Sequence, residues 1–296
     1  MNGRKVLGRL ILVFIGINLV LLAMNIMKDV GSYILSGEDI KAITSILEDR
    51  DIILDTTLPR VYTPKKKACI VLPESNLETR DNMVKKVLAA SMDEITISSS
   101  AKSGTDQVTN RVYTKESQSV TFEGKQIIYK DLNVSLERSP MLLARAKEAC
   151  RGFIKKAGLE KKFKQAYSES VVLENKIILI YYPKFEGIPV FNSYLEFTIG
   201  QDGIAQVIMQ LADIQESKET QIKGAIYPVD IVLFGIDDDL QLKKPLRITS
   251  IVLGYCSLNT PGMDILEEEI VPAYKIEIDG LNTPLFVNAY TNTEIK

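Results

Sequence analysis

Not one histidine occurs among the 296 residues. Ser-His-Asp and Cys-His nucleophilic sites, and every histidine-containing zinc site, are thereby excluded. Tryptophan is absent as well. The three cysteines, Cys69, Cys150 and Cys256, are scattered, and no Cys-x-x-Cys pair offers a zinc knuckle or a dithiol motif. One disulfide plus a spare thiol stays open, although Cys150 falls on the apolar stripe of a predicted helix and reads as a small buried hydrophobe. Nor is there a basic surplus. The 36 Lys and Arg against 38 Asp and Glu give a net charge of −2, which speaks against nucleic acid as a partner. No glycine-rich phosphate cradle is present, since Gly200-Gln201-Asp202-Gly203 reads as a hairpin turn. What remains is ordinary globular composition, 46% hydrophobic and 25% charged, with length enough for two domains and an extra segment.

The extra segment is the N-terminus. Leu10 to Met27 is an 18-residue run without a charge. As a helix it rises roughly 27 Å, close to the hydrocarbon thickness of a bilayer. Arg4, Lys5 and Arg9 precede it, which predicts a cytoplasmic N-terminus and an exported remainder. A cleaved signal peptide competes with this reading, but its apolar region is shorter and ends at an A-x-A-like site, whereas here Ala23-Met24-Asn25 stands. A buried soluble helix is the third option. The expectation is a single-pass signal anchor: residues 1–9 cytoplasmic, 10–27 in the membrane, 28–37 a connector, 38–136 a first exported module and 137–296 a second. The exported part carries 33 basic and 38 acidic residues, so no general attraction to anionic lipid or wall polymers is expected. Asn18 and Asn25 return to one helix face. Amides in hydrocarbon need partners, so both are candidates for contact with a partner helix, with interfacial water as the alternative for Asn25.

In the exported part, helices are expected at Glu38–Arg50, where Ile40, Ile43, Ile46 and Leu47 share a face, and at Thr79–Ser91. Lys67–Leu72 reads as a strand, Ile95–Gln118 as Ser/Thr-rich β-structure, and Gln126–Tyr129 as a strand returning from a turn. Ser139-Pro140 is expected to cap a helix whose stripe is Leu143, Ala146, Cys150, Phe153, Ile154 and Ala157, stopped by Gly158. An antiparallel meander follows over Lys176–Tyr182, Tyr194–Ile199 and Ile204–Leu211. The pattern then repeats: a helix from Tyr227-Pro228 to Phe234, a polar loop at Asp237–Asp239, a strand Leu246–Tyr255, and an alternating hairpin from Tyr274 to Tyr290. The fold class is α+β: one N-terminal transmembrane helix, then two helix-on-antiparallel-sheet modules.

Catalytic equipment is scarce. Ser99-Ser100-Ala101-Lys102 matches S-x-x-K, but in a polar Ser-rich stretch rather than at the start of a buried helix, so it reads as chance. Asp237–Asp239 lacks calcium-loop spacing, and Glu267-Glu268-Glu269 reads as a solvated loop. Tyr181, Tyr182 and Tyr194 are candidates for lining a groove, although edge packing is the commoner role. No cofactor, metal or catalytic residue is expected.

The tail carries three motifs in order: Leu253-Gly254-Tyr255 within Ile251–Tyr255, Pro272-Ala273-Tyr274 within Val271–Ile276, and Asn288-Ala289-Tyr290 within Phe286–Thr291. In this it resembles the YycI/YycH group of membrane-anchored regulators and, more loosely, a PepSY-like unit. It departs from the group at Tyr274, where Trp is common, and at Asn292, where Gly often follows the Thr. The resemblance implies a non-enzymatic accessory protein of a WalK-type sensor histidine kinase controlling cell-wall metabolism. It implies as partners the kinase and a YycH-like companion, met largely through membrane helices. The matched tail residues are strand and turn positions and imply fold rather than a reactive site. The runner-up is a membrane-tethered PepSY-like module that holds an extracellular peptide, protease or wall fragment.

Overall fold

The computed structural model describes residues 14–18, 33–72, 76–101, 108–217, 224–239, 245–258 and 267–295. Among them no helix is long and apolar enough to cross a membrane. Of the apolar run only Phe14–Asn18, which is helical, lies within the described residues; Asn25 lies outside them. The chain is a mixed α+β fold that divides into two compact units. A terminal unit takes the chain up to Lys65 with Gln221–Val252 and Pro272–Ile295, and a central unit takes Lys66–Thr220 with Leu253–Val271.

In the central unit, eight antiparallel strands form one sheet. Their order is Thr96–Ala101, Val108–Lys115, Gln118–Glu123, Gln126–Asp131, Ile204–Gln210, Tyr194–Ile199, Ile177–Tyr182 and Tyr167–Val172. Alternation sends Tyr113, Val120, Tyr129, Val207, Phe197 and Leu179 to one face, all buried. A single face of that width needs a single cover, and this is why the division expected between residues 136 and 137 does not hold. Gln126–Asp131 pairs with Ile204–Gln210, so that boundary would cut through the sheet. The cover is helical. In Leu143–Lys156 the residues Ala146, Cys150, Phe153 and Ile154 are buried, with Phe153 edge-on to Phe197 at 5.6 Å. Burying one such phenylalanine contributes about 1.5–3 kcal/mol. The helix opens three residues later than Ser139-Pro140 suggests. Its N-cap is Leu142, without a side-chain bond, while Met141 N–H donates to the Gly200 carbonyl and holds the lead-in on the sheet. Gly158, at φ +74°, ends it as expected. The helix Leu77–Leu88, capped by Asn76, adds Val84, Val87 and Leu88.

A smaller set of pairings completes this unit. Ala68–Val71 lies antiparallel to Asp213–Glu216 on one side and to residues 267–270 on the other. Glu267-Glu268-Glu269, expected as a solvated loop, is therefore strand. Glu268 faces inward and is buried, while Glu267 stays exposed.

In the terminal unit, the helix Gly37–Asp49 opens with a capping box in which Ser36 and Asp39 bond reciprocally, and it buries Ile43 and Leu47. Ile52–Leu54 runs parallel to residues 246–248. Residues 273–276 pair with Leu285–Asn288, which pairs with Glu294–Ile295. The helix Val229–Asp239 continues through the three aspartates expected in a loop. Its buried Val229, Val232, Leu233 and Ile236 recur at helical spacing and carry it on. Most of the second expected helix-and-meander set thus belongs to a unit that also takes the helix Gly37–Asp49.

Candidate interaction surface

The tail motifs resolve into tethers. Tyr255, fully buried, donates its hydroxyl to the Lys66 carbonyl at 2.9 Å in the central unit. In the terminal unit Tyr274 donates to the Tyr227 carbonyl at 2.9 Å, and Tyr290 donates to the Lys65 carbonyl at 2.7 Å while accepting from Lys65 N–H. Tyr255 and Tyr274 are fully buried and Tyr290 half-buried, and each ends on a backbone carbonyl, a role that suits a phenol at these places. Asn288 accepts from the backbone N–H of Tyr290 and Thr291 and so closes the turn, and the buried Ala289 donates to the Pro272 carbonyl. Pro272 and Ala273 are buried in their strand, and Leu253 is half-buried. Gly254 is dictated by space: a Cβ there would lie 2.5 Å from the Phe191 ring and 2.7 Å from the Pro189 carbonyl oxygen. These residues are structural.

Asn18 donates its amide to the Phe14 carbonyl at 2.9 Å, one turn back, so part of its polarity is satisfied within its own helix. Ser99 lies on a strand, not at a helix start, and Lys102 is outside the described residues. None of the three cysteines forms a disulfide among the described residues, and all three are buried. Burial pushes the Cys150 and Cys256 thiols up to about 12.

The groove-lining candidates separate by face. Tyr181 points to the helical side and meets Phe197 edge-on at 5.8 Å. Tyr182 and Tyr194 point the other way and, with Tyr167, form a ladder across three adjacent strands. Tyr167 pairs with Tyr182 in register, the rings 6.3 Å apart, and Tyr182 stands 6.3 Å from Tyr194. The row continues to Gln126, whose amide donates to the Tyr194 hydroxyl at 2.9 Å, and burial raises the Tyr194 phenol above its ordinary range. On this face Thr114, Thr121, Ile128, Ile178, Ile180, Thr198 and Ile208 are all partly exposed, in contrast to the buried helical side. Tyr167 was not foreseen; it lies on an edge strand whose Ser-Glu-Ser stretch hides the alternation.

Beyond the ladder is a polar chain that the sequence did not reveal. Gln210 donates to the Asn192 carbonyl, Asn192 Oδ1 accepts from Ser257 N–H at 2.7 Å, and Ser257 Oγ donates to Glu268 Oε2 at 3.0 Å. The other Glu268 oxygen is ion-paired with Lys125. Ser257 and Glu268 are only 3% and 5% exposed, so this serine–carboxylate–lysine series spends its bonds on itself. Period-two alternation counted back from Ile270 was the available signal for an inward Glu268.

The mixed α+β architecture recurs in a solved structure. The chain is similar to an uncharacterized protein from Eubacterium rectale, with a TM-score of 0.55 and 13% identity over 82% of this chain and 89% of that one. A second similarity, to the Bacillus megaterium YpeB C-terminal domain, has a TM-score of 0.38 and 15% identity over 75% of this chain and 96% of that one. No family model matches the chain, and no curated protein matches it.

The buried titrating groups fix how stability responds to base. Tyr129 and Tyr181, like the two thiols, are pushed by burial up to about 12. The folded chain therefore keeps protons that the unfolded chain releases from about pH 9 upward, and stability falls as pH rises from there, by up to about 1.4 kcal/mol per unit for each group. With no histidine to titrate, the urea midpoint is expected to stay level between pH 6 and 8.5 and to decline above pH 9. Iodoacetamide at pH 8 should modify Cys150 and Cys256 in urea but not in the folded protein. Rapid alkylation of the folded chain would show that the thiols are not held in the apolar interior.

Proposed function

We propose that this protein is a non-enzymatic, membrane-anchored accessory regulator of a sensor histidine kinase, acting through protein contacts in and outside the membrane. The observation that carries the reading is the uncharged run Leu10–Met27 with Arg4, Lys5 and Arg9 before it and Asn18 near its middle. The kinase comes from the resemblance of the tail to the YycI/YycH group. The central unit lends support, because its sheet has a helix-covered face and an opposite face that displays tyrosine, glutamine, threonine and isoleucine, the mixture that suits a polypeptide partner. Regulation requires that the protein contact two kinase states unequally, since a companion that binds both alike shifts nothing.

Cross-linking in native membranes, followed by affinity capture, is expected to recover the kinase. Asn18→Leu with Asn25→Leu should lower that recovery several-fold while leaving the chain in the membrane fraction. Undiminished recovery removes the intramembrane contact, and release of the chain by alkaline carbonate removes the anchor. One observation favours the second reading, a tethered peptide-binding module. Tyr167–Val172 is the last strand of its sheet, and Val171, Val172 and Leu173 on and after it are 52%, 60% and 42% exposed. Such an edge can accept an added strand. Capture of an extended peptide in place of the kinase would establish that alternative.

A further inference from the structure

The near-neutral total charge conceals an uneven distribution. Between Leu143 and Lys164 the chain carries eight basic residues and two acidic ones, in a protein whose total is −2. The structure collects them on one surface. The helix Leu143–Lys156 turns Ala146, Cys150, Phe153 and Ile154 to the sheet, which leaves Arg145, Lys147, Arg151, Lys155 and Lys156 exposed, with Lys164 just beyond. Lys162 is tied to Asp213 at 2.9 Å, whereas these six form no ion pair among the described residues. The two acidic residues of the stretch, Glu148 and Glu160, are exposed without an ion pair to them.

This arrangement costs the helix stability. Lys147, Arg151 and Lys155 stand four apart, each a like-charged neighbour of the next. The first turn contains no acidic residue and has Arg145 against the positive end of the helix dipole, with no side-chain cap. Only Lys155 and Lys156, in the last turn, suit the dipole; Arg145 and the four-spaced cations before them do not serve the fold. At the start of the same helix Leu142 is 74% exposed, an apolar group at the edge of this cationic surface.

From this we infer that the outer face of the helix Leu143–Lys156 and the turn after it docks on the anionic headgroups of a bilayer. The inference rests on the proposed anchor, which keeps headgroups within reach. Each cation near such a surface adds to the attraction, which falls off within a Debye length.

The test uses the full chain reconstituted in vesicles of phosphatidylcholine alone or of phosphatidylcholine and phosphatidylglycerol in equal parts, with acetylation of Lys147 and Lys155 read by mass spectrometry. Acetylation is expected to be about fivefold slower with phosphatidylglycerol, and the protection to vanish at about 1 M salt, where screening acts within ~3 Å. Arg145→Glu with Arg151→Glu should abolish the protection. Equal labelling in both vesicles overturns the inference, as does protection given by soluble poly(glycerol phosphate) but not by phosphatidylglycerol. Flotation reports the anchor separately. A chain that floats with both vesicles yet shows no protection defeats the surface alone. A chain that floats only with phosphatidylglycerol defeats the anchor and leaves the surface standing.

Discussion

Replacing Gly254 by alanine is expected to cost the central unit about 3 kcal/mol or more, the upper range for forcing a carbon into a packed interior. The new Cβ would stand 2.5 Å from the Phe191 ring and 2.7 Å from the Pro189 oxygen. The ring can swing, but the carbonyl cannot. The backbone of this segment is held by a parallel bridge between Val190 and Tyr255 and by Phe191 N–H donating to the Tyr255 carbonyl at 2.9 Å. Combining Gly254→Ala with Phe191→Leu should therefore return only part of the loss. Urea denaturation of Gly254→Ala, of Phe191→Leu and of the double variant separates the two obstacles: complete recovery in the double variant would show that the ring was the whole obstruction.

Glu268→Ala should be the next most damaging change, at about 3 kcal/mol, because it strands Lys125 and the Ser257 hydroxyl beside a space shaped for a carboxylate. Lys125 retains partial access to water, which keeps the loss at the lower end for a broken buried pair. Removing both charges is a different experiment. Lys125→Met with Glu268→Leu is expected to recover most of the stability, since two buried charges contribute little beyond well-packed apolar groups. If the double variant stays as weak as the single, the pair is worth more than its desolvation allows, and the serine–carboxylate–lysine series has a value beyond packing.

These two sites mark where the sequence was and was not readable. Strands with strict alternation, such as Leu195-Glu196-Phe197-Thr198-Ile199, announce their buried face, and the helix stripe at Ala146, Cys150 and Phe153 does the same. Long-range pairing left no comparable trace. Nothing near Gln126 reveals that it lies beside Gln210, so the sheet was divided at residue 136 although its strands are continuous. Charge misled where burial depended on a distant neighbour: Glu268 is interior because Lys125, remote in sequence, meets it. The helix at Val229 was closed at Phe234 because three aspartates outweighed an apolar stripe that runs on to Ile236. Net charge is silent on distribution, since a total of −2 is compatible with a strongly cationic helix face.

The discontinuity of the terminal unit has a consequence for how the chain matures. Its opening helix, Gly37–Asp49, leaves the ribosome first, yet the strand beside it pairs with residues 246–248, Arg50 stacks on the Phe234 ring, and the unit closes with Glu294–Ile295. Ile43 and Leu47 thus belong to a unit that is assembled only once residues 273–295 have joined it. A nonsense codon or a protease cut in the last few dozen residues would waste the earliest part of the molecule as surely as the latest.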